Sequence, residues 1–293
     1  METIIDEFCN YRREKKQVSE NTLLAYRSDL QRLVSYMREN GIPSFAQVTE
    51  TQLNSFILQT ERRGLKAASV VRLVSSIHTF FDYLAKRGYI KEDPAERLKA
   101  PKAEQAVQEI ISVEELERLF EMPDLSGPKG MRDRAMLEVL YATGIRLNSL
   151  LKLTMSQLQL QYRLLCVREQ GEERVLPLGK TACERLEAYL KDARPVLAVP
   201  DSDPELVFYN RAGGMMTRQG FFKRITMYAE KAGLPNITPR VLRNSMITHL
   251  MSNGASYAGV HQLLGTKRLS AAMNYQKQTQ SIPELYRQAH PRA

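Results

Sequence analysis

Arg240 and Arg243 stand one helical turn apart in ITPRVLRNSMITHL, at a helix start that Thr238 caps and Pro239 favours. Guanidiniums at that spacing can grip the oxygens of one phosphate, because each presents a planar fork of donors. After two more short helical segments comes Tyr275, whose phenol can act as a nucleophile. A phosphate grip followed by a tyrosine points to phosphoryl transfer. That chemistry needs charge stabilisation at phosphorus, a base for the phenol and an acid for the leaving oxygen.

The rest of the chain must hold these groups in place. Its 293 residues, 43% of them hydrophobic, suffice for two domains with real cores. Forty-two basic residues against 33 acidic ones give a net charge of +9, which suits a polyanionic partner such as nucleic acid and equally suits an ordinary basic surface. The excess is uneven: from Arg240 to Ala293 seven Lys or Arg face one acid, Glu284. Cys9, Cys166 and Cys183 are too few and too scattered for a disulfide framework or a zinc site, so no metal and no cofactor is expected. No signal peptide and no membrane-length apolar run are visible, and a bacterial cytoplasm or nucleoid fits.

Residues 1–93 read as four amphipathic helices. Ile4, Ile5, Phe8 and Tyr11 recur at helical spacing, Ser19 can cap a second helix, Thr49 with Gln52 a third, and a fourth runs from about Ala67 to Gly88. Arg27, Lys66 and Arg72 could contact phosphates from this bundle, with Ser69 beside them and Asn21 and Thr22 near base edges; read alone, each is better explained as solvated surface. Residues 94–110 lose apolar periodicity and carry prolines, as a linker does.

The second domain, 111–293, opens on a Ser112–Glu115 capping box and a long helix from about Met131 to Ala142, stopped by Gly144. Apolar runs at 164–167 and 174–178 around Gly171 predict a hairpin. A helix from about Thr181 to Lys191, a short strand at VFYN, and a helix between Thr217 and Gly233 follow. Arg218, Lys223 and Arg224 on this last helix are candidate phosphate contacts or a solvated basic face.

Several phrases then resemble the tyrosine recombinase and integrase family, including its Xer members. RVLRN, LLGT and Tyr275 resemble its HxLRH, LLGH and tyrosine pattern. ATGIRLNSL resembles ATGxRxSEL, SENTLLAYRSDLQRLVSYM the opening of its core-binding domain, and SIPELYRQAHPRA its C-terminal ending. The resemblance implies a mainly α fold: a four-helix core-binding (SAM-like) domain that clamps DNA, then a mostly helical catalytic-type domain with a small antiparallel sheet. It places Arg146 and Arg243 on the scissile phosphate, Tyr275 as nucleophile, and Lys267 and Arg268 among DNA contacts.

The chain departs from that pattern in places that bear on proton transfer. Glu169, Arg240 and Thr266 stand where the resemblance implies Lys, His and His, and Ser149 replaces a glutamate that would support Arg146. Losing a positioned general acid costs roughly 10²- to 10⁴-fold, and a carboxylate beside a phosphodiester is expected to repel it. Lys152, Lys180 and Lys267 are conceivable substitutes, while His249 and His261 read as packed or surface histidines. Two functions follow. One is a site-specific double-stranded DNA-binding protein, impaired in cleavage, that acts as regulator or architectural partner. The other is an active recombinase working through a 3′-phosphotyrosine. In both, the resemblance implies a dimer or tetramer on DNA, or a related active recombinase as partner, and the C-terminal segment is expected to dock either on a neighbouring protomer or in its own core.

Overall fold

The computed structural model describes residues 1–101, 110–169, 172–234, 236–264 and 282–292. The chain divides into two compact units, Met1–Ala106 and Val107–Ala293.

The first unit contains α1 (Glu2–Lys16), α2 (Glu20–Glu39), α3 (Glu50–Arg62) and α4 (Ala67–Lys86). Their starts are fixed locally: the Ser19 hydroxyl accepts from Thr22 N–H, and Thr49 and Gln52 satisfy each other's backbone N–H groups in a capping box. Their inner faces meet around Phe8, Phe45, Phe80 and Phe81. Phe80 sits edge-on to Phe8 and Phe45, with centroids 5.3 and 4.9 Å away, a favoured aromatic geometry. One buried acid crosses this core: Asp29 on α2 accepts from Arg72 Nη1 and the Ser76 hydroxyl on α4, both at 2.7 Å.

The second unit begins with α5 (Val113–Glu121), started by the Ser112–Glu115 capping box, and α6 (Pro128–Thr143). From Arg132 to Thr143 every residue of α6 is buried, so its charged residues must be paired internally. Arg132 and Asp133 pair with each other, and Glu138 accepts from both Arg134 and Arg292. After α7 (Leu147–Leu151), strands β1 (Leu158–Gln159), β2 (Leu164–Glu169) and β3 (Glu172–Pro177) form an antiparallel sheet in the order β1-β2-β3. Val167 lies opposite Arg174, and Glu169 opposite Glu172.

The helix expected over 181–191 is α8 (Lys180–Ala188), extended through a π turn at Tyr189–Ala193 into α9 (Arg194–Leu197). VFYN is not a strand. It makes one isolated bridge, Tyr209 to Met215, because side chains claim the carbonyls a partner strand would need: Tyr189 Oη donates to Val207 O at 3.0 Å and Arg132 Nη1 to Tyr209 O at 2.9 Å. The unit ends with α10 (Arg218–Lys231), capped by Thr217, then α11 (Pro239–Ser252), capped by Thr238, α12 (Tyr257–Leu264) and α13 (Ile282–Ala289).

The C-terminal segment packs inside its own unit. Tyr286 is 2% exposed, its hydroxyl accepts from Gly179 N–H at 3.1 Å, and its ring stacks on His290. Gly179 is required there, because a Cβ would lie 1.8 Å from Arg292 O. Among the described residues no helix is long and apolar enough to cross a membrane.

Candidate functional site

The site is built where α6 ends. Gly144 terminates the helix with φ +57°, and a Cβ on it would lie 2.1 Å from Met246 Cε and 3.1 Å from Leu264 Cδ2. The left-handed turn favours glycine, and a side chain here would have to push the Met246 end aside where the helix meets α11 and α12. Two residues later Arg146, at the N-cap of α7, emerges about one-third exposed.

Strand β2 approaches the same point. Its alternation sends Leu165, Val167 and Glu169 to the buried face, so Glu169 is the last inward residue of a strand and not part of the turn. Its carboxylate accepts from Arg146 N–H at 3.2 Å and closely from Arg146 Nη1 and Arg174 Nη2. Arg174, on β3, also donates through Nη1 to Leu263 O at 2.7 Å, tying the hairpin to the end of α12.

Burial pushes the Glu169 carboxyl up, but hydrogen bonding from Ser149, the Arg174 charge, the Arg146 N–H and the Arg146 charge together outweigh it. They hold the acid below the usual carboxylate range. Glu169 is therefore an ionised acceptor with no proton to give. It does not stand as a bare negative charge, as the sequence suggested, because two guanidiniums neutralise it. It also supplies, from β2, the carboxylate support of Arg146 that Ser149 cannot.

Arg243 reaches the cluster from α11. Its Nη1 is buried and has no hydrogen-bond partner among the described residues. Burial, followed by repulsion from Arg146 and Arg174 that Glu169 only partly offsets, lowers its pKa to about 10. The guanidinium remains charged at neutral pH. Two guanidiniums thus share one carboxylate while a third, Arg243, lies within reach of their charges, and the surplus positive charge includes an unmet buried donor. Such a group suits an oxyanion with acceptors on several sides.

The two arginines of the sequence grip separate. Arg243 turns into the cluster, while Arg240 is exposed at the start of α11. Thr266, Lys267, Arg268 and Tyr275 lie outside the described residues. His249 is packed in the unit, its Nδ1 2.8 Å from Tyr141 Oη, and His261 lies against the Tyr257 ring. Lys152 and Lys180 are exposed.

Of the other candidate contacts, Lys66, Arg218 and Lys223 are exposed. Arg27 pairs with Asp6 at 2.7 Å, and Arg72 is anchored on Asp29. Arg224 is turned towards the core, donating to Asp133 and to Tyr228 Oη, both at 2.6 Å.

Sequence reasoning passed over two residues. Arg174 was legible from strand alternation, since it lies two positions before the buried Leu176 and shares its face. Asp133 carried no local signal, because its partners include Arg224 and Tyr228 from α10.

With this geometry in place, the comparisons with known proteins are specific. Residues 109–281 match the phage integrase family, and residues 5–88 match the phage integrase N-terminal SAM-like domain. The chain is 38% identical over 297 residues to the tyrosine recombinase XerD of Listeria innocua, and 34% identical over 296 residues to that of Staphylococcus haemolyticus, in each case covering all of both chains. Two solved structures share the fold. One is the Tn1549 transposon integrase in complex with circular intermediate DNA, with TM-score 0.74, 18% identity and coverage of 91% of this chain and 92% of that one. The other is a lambda integrase dimer bound to a COC′ core site, with TM-score 0.71, 17% identity and coverage of 94% and 98%. By sequence along its whole length, and by fold, the chain belongs to the phage integrase family of tyrosine recombinases.

Proposed function

We propose that this protein binds a specific double-stranded DNA site and holds a backbone phosphate with Arg146 and Arg243. On this reading it is impaired in cutting the strand and serves as a regulator or architectural partner. The observation that carries the reading is the buried, unpartnered Nη1 of Arg243 beside a carboxylate already paired with Arg146 and Arg174. A phosphate would satisfy that donor and offset the charge. The exposed Lys66, Arg218 and Lys223, with Lys267 and Arg268, would add non-specific phosphate contacts, and Arg27, Arg72 and Arg224 would contribute from their ion pairs.

The chemistry of the cluster supports impaired cleavage. When a tyrosine oxygen bonds to phosphorus, the 5′ oxygen must leave with a proton. Glu169 is ionised within its arginine pairs and has none to supply. Arg240 binds anions but does not shuttle protons at neutral pH.

A second reading has its own support: the relatives matched along their whole length are named tyrosine recombinases, Arg146 and Arg243 lie in one charge cluster, and Tyr275 is retained. In that reading the protein is an active recombinase that exchanges strands through a 3′-phosphotyrosine. Either way it would act on DNA as a dimer or tetramer, or beside a related active recombinase, in a bacterial cytoplasm at the nucleoid.

Recovery of the protein with its DNA from native cells, with and without denaturation, separates the readings. Discrete sites recovered only without denaturation, and equally by wild type and Tyr275→Phe, support binding without cleavage. A denaturant-resistant adduct that vanishes in Tyr275→Phe establishes the recombinase.

A further inference from the structure

We propose that Glu169 is an internal counter-ion that competes with phosphate for Arg146, so that the cluster carries a built-in brake on anion binding. The proposal deepens the phosphate-site reading and rests on it.

The geometry supplies the argument. Glu169 has 3% side-chain exposure and receives close hydrogen bonds from Arg146 Nη1 and Arg174 Nη2, together with the backbone N–H of Arg146. The two arginines differ in what they could give up. Arg174 is 9% exposed and also pinned to Leu263 O, so it is a fixed strut. Arg146 is 34% exposed and its side chain has no other hydrogen-bond partner among the described residues, so it is the cation that can turn to an incoming anion. Arg243 Nη1, already unmet, needs no such exchange.

A phosphate arriving at the cluster therefore meets one unmet donor on Arg243 and, on Arg146, a guanidinium whose charge it must share with, or draw from, a carboxylate. Giving up a charge-assisted hydrogen bond opposes binding, and the nearby carboxylate adds repulsion. The carboxylate also has a use before the anion arrives: without it, three guanidiniums would repel one another in a partly desolvated site. Glu169 is thus a positioning residue that sets the cluster's shape and its threshold for phosphate.

The test is the shift in thermal unfolding with inorganic phosphate, followed by salt-dependent duplex binding. Glu169→Gln should unfold at a lower temperature without phosphate yet bind phosphate roughly ten-fold more tightly than wild type, the equivalent of one charge-assisted hydrogen bond. On duplex DNA its affinity should fall more steeply with salt, by about 0.9 in the log–log slope for one additional freed cation. Glu169→Gln/Arg174→Gln retains the wild-type charge sum while still freeing Arg146. It should also exceed wild type in phosphate affinity, and it decides the matter if the single variant does not fold.

Restoring a carboxylate one helical turn from Arg146, in Ser149→Glu/Glu169→Gln, should return phosphate affinity towards the wild-type value, a rescue that a purely structural role would not produce. Phosphate affinity no greater than wild type in both Gln variants would overturn the proposal. The phosphate assay needs no duplex, so failure of wild type to bind DNA would defeat the functional reading while leaving the counter-ion claim to be decided by the Gln variants.

Discussion

Asp133 on α6 accepts a hydrogen bond from Arg224 Nε on α10 at 2.6 Å, and this carboxylate fixes a helix that carries candidate DNA contacts. The same carboxylate accepts from Arg132 Nε at 2.9 Å and Tyr228 Oη at 2.7 Å. Asp133→Ala would leave Arg132, 4% exposed, as a buried charge without its counter-ion. The expected cost is about 3–5 kcal/mol, read from denaturant unfolding. A loss below 1 kcal/mol would mean that water reaches the cluster.

Gly144→Ala should be destabilising for two reasons. The left-handed backbone alone costs about 1–3 kcal/mol. The new methyl would also push aside the flexible end of Met246, one turn from Arg243 on α11, so anion binding should weaken modestly together with stability. Phosphate titration at a temperature where the variant is folded separates the two effects.

Arg174→Lys keeps the charge but not the fork. Arginine serves Glu169 and Leu263 O through different nitrogens, and a lysine cannot span both in the same geometry. A loss of about 1–3 kcal/mol is expected, with faster amide exchange at the end of α12.

His290 gives the second unit a predictable acid sensitivity. Burial, then the charges of Arg292 and His249, lower its pKa to about 3 from an ordinary value near 6.5, despite the Tyr141 carbonyl. Its Nδ1 accepts from Arg292 N–H at 3.1 Å, which places the neutral ring's proton on Nε2, beside Tyr141 O. The folded state therefore holds this histidine neutral while the unfolded chain protonates it. Stability is fully present above pH 6.5 and is lost as pH falls from 6.5 towards 3, by up to ~1.4 kcal/mol per pH unit from this group. In His290→Gln the stability–pH curve should be flatter across that window, and an unchanged slope would contradict the assignment.

Much of the fold was legible because its signals are local. Ser19, Thr49, Ser112, Thr217 and Thr238 each cap the helix that the sequence assigned to them, since capping depends on residues two or three positions away. VFYN misled because apolar, β-prone residues look the same whether they pair with a strand or sit buried with side chains taking their carbonyls. At the site, Arg146 and Arg243 were identified through their motifs, and so was the unusual Glu169. What Glu169 does was not legible, because its partners come from α7 and β3 and its charge has meaning only beside theirs. The separation of Arg240 from Arg243 was hidden for a related reason: residues three apart share a helical face loosely, and packing against α6 decides which one turns inward.

The most direct test of the phosphate site is the affinity of wild type, Arg243→Ala and Tyr275→Phe for duplex recovered from the native cells, measured across a salt series. Arg243→Ala is expected to bind more weakly, with a salt slope shallower by about one phosphate contact, while Tyr275→Phe matches wild type. Equal affinity and equal slope for wild type and Arg243→Ala would contradict the account.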